Sequence, residues 1–282
     1  LTFTGQEKNT PGNGWSMPHG LTFSASGELD HGGAVTVEQI LDSSDGAAGA
    51  IMDTRIMTID MGDSGTLTFS GTGGSSVLDA IDDVTPKAGL EESWDIISGA
   101  DIIPAGTGGD DMFTYDNSSL MDGLTLSASY TPSDGTSEVE SSSDYGLKYT
   151  GIEGLTIGAG AGEDNSAAAS IDLTNMYVKY TMDAFSVGYQ ASEADSETAN
   201  ADKDFQAIGL SYAVSEDLSV SINSSTIEFE NSSLSDQEAT GFGISYTMGS
   251  MTLAGTHNSV DNVAGTSTSD ISGYEVALSF AF

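Results

Sequence analysis

Three carboxylates, Asp79, Asp82 and Asp83, stand at i, i+3 and i+4, a spacing that gathers side chains on one face of a helical turn. Glu91, Glu92, Asp95 and Asp101 follow within twenty residues, and Lys87 is the one base among them. The chemistry open to such a set is cation attraction. Along a narrow aqueous path these acids lower the free energy of entering cations and raise it for anions. Ser75 or Ser76 is placed to cap a short helix over 76–84, which Thr85-Pro86 ends. Leu78, Ile81, Val84, Trp94, Ile96 and Ile97 lie among the acids and give the stretch an apolar side to pack against a wall.

Other chemistry finds less support. Acid pairs at Asp82-Asp83, Glu91-Glu92, Asp110-Asp111 and Glu138/Glu140 offer hard oxygen ligands for Ca2+, but none has EF-hand spacing. Non-specific counter-ion binding is the favoured reading, and no cofactor is expected. His19, His31 and His257 fall in a loop, a turn and a strand end. A Ser-His-Asp site on loops is the enzymatic alternative; these histidines lie far apart in strand order, so no enzyme is expected.

The charge balance narrows the classes further. Six Lys and Arg against 43 Asp and Glu give a net charge of −37, which excludes a nucleic-acid binder that works through phosphate contacts. There is no cysteine, so disulfides and zinc-thiolate sites are excluded too. No apolar run approaches the roughly 18 residues of a membrane helix. A closed barrel, the other structure that satisfies its backbone in lipid, stays open. The chain starts at Leu1 without Met, so LTFTG reads as the end of a truncated strand.

The elements that must position the acids are short strands. Leu21–Leu29 alternates apolar with small or polar residues, turns at 30–33 and returns over 34–41. Period-two alternation marks a strand whose two faces meet different surroundings. The same plan repeats over 52–61 with 66–72, 112–117 with 124–131, 143–150 with 155–161, and 171–181 with 185–189. It continues over 203–214, 218–222, 239–248, 251–253 and 272–282. Short turns alternate with longer acidic or Ser-rich loops, the asymmetry of an outer-membrane barrel. Tyr149, Tyr180, Tyr212 and Tyr246 each precede a short turn, as an interfacial aromatic girdle requires. One interval breaks the rhythm: 73–111, which holds the acid set. A soluble β-sandwich is the rival fold, but the second face of each strand is mostly Ser, Thr, Gly and Ala.

The terminal strand SGYEVALSFAF, the Tyr-before-turn hairpins and the placement of the insert resemble a general diffusion porin of Gram-negative bacteria, most like those of marine alphaproteobacteria. The resemblance implies one domain over 1–282, an all-β, 16-stranded antiparallel transmembrane barrel. Its insert, following the fifth strand, would fold inward as a constriction loop. It also implies an outer-membrane location, contact with lipid, passage of small hydrophilic solutes and cations, a homotrimer, and Phe282 as an assembly signal. In such porins a basic wall faces an acidic loop. Here Lys148 and Lys179 fall on the polar phase of their strands and Arg55 is ambiguous, while Glu28, Glu38 and Asp60 make the wall more negative. Simple cation preference is therefore expected. The alternatives are a selective porin for cationic nutrients and an acidic surface-layer or adhesin protein without a pore.

Overall fold

Alternation fixes a strand only when a neighbour takes up its hydrogen bonds, and here β4 to β17 each find one on both sides. The computed structural model describes residues 1–6, 14–17, 20–30, 32–42, 52–90, 97, 100, 110–133, 135, 140–167 and 169–281. The strands are β1 (Thr2–Gln6), β2 (Trp15–Ser16), β3 (Gly20–Glu28), β4 (Ala34–Asp42), β5 (Met52–Asp60) and β6 (Thr66–Thr72). After the insert come β7 (Met112–Met121), β8 (Leu124–Thr131), β9 (Ser142–Ile152), β10 (Leu155–Asp164), β11 (Ile171–Met182) and β12 (Phe185–Ser196). The last are β13 (Lys203–Ala213), β14 (Leu218–Phe229), β15 (Gln237–Met248), β16 (Met251–Asp261) and β17 (Ile271–Phe280).

From β3 to β17 each strand pairs antiparallel with the next. β1 pairs with β17 from Thr2↔Ala277 to Gln6↔Gly273 and with β2 through Thr2↔Ser16 and Phe3↔Trp15. β2 leads back into β3 after three residues, Met17 to His19. The described residues therefore form 17 strand segments where 16 strands are expected, β2 and β3 together taking the place of the second strand.

The burial pattern is inside out. Phe242, Ile244 and Tyr246 of β15 are 51%, 41% and 43% exposed, whereas Gln190, Gln237 and Asn258 on the opposite face are at most 2% exposed. Exposed apolar side chains run without a break from strand to strand: Val187 faces Leu210, Leu210 faces Ile222, and Val220 faces Ile244. A patch of that extent is far larger than a soluble monomer carries and suits lipid. The girdle tyrosines share one level by register. Tyr149, Tyr180, Tyr212 and Tyr246 each face the first residue after the preceding turn: Leu124, Leu155, Phe185 and Leu218. Phe185 and Tyr212 stack with centroids 4.4 Å apart.

The two faces respond differently to charge. Arginine at Leu210, on the lipid side, is expected to cost about 2–4 kcal/mol near the bilayer midplane. Arginine at the adjacent inward Ser211 should cost much less. Urea unfolding of both variants in vesicles checks this, and equal losses would contradict the assignment of faces.

Candidate functional site

The insert leaves β6 and lies on the polar face of the wall, crossing the strands in order. Ser129 of β8 accepts from the Val77 N–H at 3.0 Å. The Val77 side chain covers Gly146 of β9, and Leu78, fully buried, covers Gly160 of β10. Asn175 of β11 donates to the Ile81 carbonyl at 2.6 Å. Gln190 of β12 does double duty: its Nε2 donates to the Asp82 carbonyl at 2.7 Å, and its Oε1 accepts from the Val84 N–H at 3.2 Å. Pro86 lies over Gly188 of β12 and, with Thr85, over Gly209 of β13. Ser221 of β14 accepts from the Ala88 N–H at 2.9 Å. Gly89, at φ +90°, ends the crossing against Ser245 of β15 and Ala254 of β16.

Two kinds of wall residue build this track. Amide and hydroxyl side chains satisfy backbone groups that a buried loop would otherwise leave bare. Glycines make room. A Cβ built on Gly146 would stand 2.5 Å from Val77 Cγ1, and one on Gly188 would stand 2.6 Å from Pro86 Cδ. An apolar cluster adds to the grip: Leu78 and Ile97 of the insert pack with Leu173, Phe205, Ile227 and Val260 on the inner wall. Asp144 of β9, 1% exposed, accepts from the Ser129 hydroxyl at 3.3 Å and faces Ser76 and the Leu78 backbone at the insert's start.

Within the insert the structure differs from the helix expected over 76–84. A single 3-10 turn spans Asp79–Ile81, with the Asp79 N–H donating to Ser76 Oγ at 3.2 Å. The wall's hydrogen bonds to Ile81, Asp82 and Val84 draw the backbone out where a helix would keep those groups for itself. Asp79, Asp82 and Asp83 are half-buried on this segment, and Asp83 pairs with Lys87 at 3.8 Å. Glu91, Glu92, Asp95 and Phe282 lie outside the described residues.

On the wall, Lys148 faces Gly158 and Lys179 faces Thr156, both on the face opposite Tyr149 and Tyr180. Glu28 faces Ala34, Asp60 faces Ala34 from the other side, and Glu38 faces Ser24, all on the inward phase. Arg55 differs. It shares the phase of exposed Met57, and its Nη2 donates to the Gly71 carbonyl at 2.8 Å and to Thr72 Oγ1 at 2.9 Å. A register shift lies beside it, between Arg55 and Ile56. Besides Asp144, the inward acids Asp116, facing Ser127, and Glu275, which accepts from Thr4 Oγ1 at 2.8 Å, were not singled out from sequence. Among the described residues no three His, Cys, Asp or Glu side chains form a metal-holding group.

Residues 2–233 match the family described as Gram-negative porin. The chain belongs to the Gram-negative porin family. No curated protein matches it in sequence. Among solved structures it is similar to an anion-selective porin from Comamonas acidovorans, at 12% identity and TM-score 0.75, covering 100% of this chain and 96% of that one. The trimer form of OmpT from Vibrio cholerae gives 13% identity and TM-score 0.73, covering 99% and 96%. A mutant of the Rh. blastica porin gives 14% identity and TM-score 0.70, covering 100% and 97%. Identities this low speak to the fold alone. As a member of the porin family the protein is a passive outer-membrane diffusion channel and not an enzyme, which sets aside the adhesin alternative.

Proposed function

We propose that this porin prefers cations, that Asp79, Asp82 and Asp83 line its constriction, and that Glu91, Glu92 and Asp95 add to the same charge. One observation supports the reading most. The described part of the insert runs over β8–β16, and the wall it leaves uncovered is that of β17 and β1–β7. Its inward positions carry Glu275, Glu28, Glu38, Asp60 and Asp116, and no base among the described residues. Acids thus flank the aqueous path on both sides, with Lys148 and Lys179 as the opposing charges. A trimer is part of the proposal, supported by the trimer form of the Vibrio cholerae neighbour. Phe282 is proposed as the terminal assembly signal.

Reversal potential in a salt gradient tests the preference. The expected sign is that of the cation. Changing Glu38 to Gln together with Asp82 and Asp83 to Asn should move the potential toward zero. The shift should fade at 1 M salt, where the Debye length is about 3 Å. An anion-directed potential in the unaltered protein would overturn the electrostatic reading and leave the channel itself intact.

A further inference from the structure

We infer that the space between the insert and the β7–β11 wall is a binding subsite for short zwitterionic peptides with an aliphatic side chain. The inference rests on the channel reading and names a solute class for it. The cavity measures about 340 Å³, within the range of small-molecule sites. One side is apolar, formed by Val77, Ala80, Ile81 and Val84 of the insert; the other is wall, with Asp116 and Lys148. Both charges are available. Lys148 has no hydrogen-bond or ion-pair partner among the described residues. Asp116 receives the Ser127 hydroxyl on Oδ1, which leaves Oδ2 open.

Spacing selects the ligand. Asp116 faces Ser127, Ser127 faces Gly146, and Lys148 is the next inward residue after Gly146. The two charged residues are therefore two strand spacings apart and offset by two residues along β9, about 12 Å between backbones, and the lysine stem closes part of that gap. A free amino acid holds its ammonium and carboxylate across one Cα, about 2.5 Å apart. A dipeptide separates them by about 6 Å, so its ammonium reaches Asp116 while its carboxylate reaches Lys148. Gly158, facing Lys148, lets the Tyr177 ring lie flat on the wall beside that lysine, since a Cβ there would run into the ring. An aliphatic side chain then rests on Val77 and Val84, surfaces that bare ions and sugars leave unused.

Single-channel recording in planar bilayers with the dipeptide Ala-Leu tests the subsite. Ala-Leu should produce concentration-dependent blockades, and leucine should block about tenfold more weakly. Lys148→Gln and Asp116→Asn should each shorten the blockade at least tenfold, whereas Lys148→Arg should retain it. Ala-Leu amide, which lacks the carboxylate, should behave on the unaltered channel as Ala-Leu does on Lys148→Gln. Channels of ordinary conductance that Ala-Leu never blocks, or blockades that survive Lys148→Gln, would overturn the subsite. Failure of the channel reading is distinct, because no open-channel current would then be seen before peptide is added.

Discussion

Leucine at Gln190 is expected to release the middle of the insert while leaving the barrel folded. This side chain is fully buried and serves the insert at both ends of one bend, donating to the Asp82 carbonyl at 2.7 Å and accepting from the Val84 N–H at 3.2 Å. Leucine fills the space without either bond. Each covered backbone group left bare costs about 1–3 kcal/mol, and the Ile81 carbonyl, still held by Asn175 at 2.6 Å, limits the loss. The β12 ladder is made of backbone bonds and keeps its strength. Two measurements follow the effect: faster hydrogen exchange at the Val84 amide, and current noise that the unaltered channel lacks. Unchanged exchange at Val84 would mean the amide is incidental to the docking.

Valine at Gly188 should act from the other direction, by pushing. A Cβ at this position would stand 2.6 Å from Pro86 Cδ, and a proline ring has little freedom to step aside. Overpacking of this kind costs about 1–3 kcal/mol. Here the strain is relieved by lifting the insert off β12 toward the water. Single-channel conductance should fall, since the displaced segment narrows the path. Valine at Ser186, on the same face two residues nearer the turn, provides the control and should change conductance little. Equal conductance in the two variants would show that contact at Gly188 does not set the bore.

Much of this was legible in the chain. Alternation located the hairpins, the Tyr-before-turn spacing put four tyrosines at one level, and the interval 73–111 stood out by its lack of either pattern. The path of the insert was less visible. Gly146, Gly160, Gly188 and Gly209 sit on the inward phase of β9, β10, β12 and β13, but glycine in a strand otherwise rich in Ser and Thr reads as an unremarkable polar face. Its meaning emerges only when Val77, Leu78 and Pro86 are found above it. The signal was the phase: these glycines fall on the side that the tyrosines avoid. The short 3-10 turn at Asp79–Ile81 was hidden for a different reason. Capping and spacing favour a helix, and the competing hydrogen bonds come from Asn175 and Gln190, about a hundred residues away. Arg55 shares the parity of Met57 in the sequence, and only its place near a strand end left its face open there.

The docking of the insert on one side of the ring has a consequence for how such a channel diversifies. Among the described residues, those that hold the insert lie on β8–β16, while Glu28 and Glu38, on the opposite arc, have no hydrogen-bond or ion-pair partner. Substitutions there alter the charge a solute meets without disturbing the parts that set the bore. Selectivity and architecture are thus free to drift separately, and a lineage can trade one ionic preference for another by a few changes on a mechanically idle arc. That an anion-selective porin shares this fold is what such independence would produce.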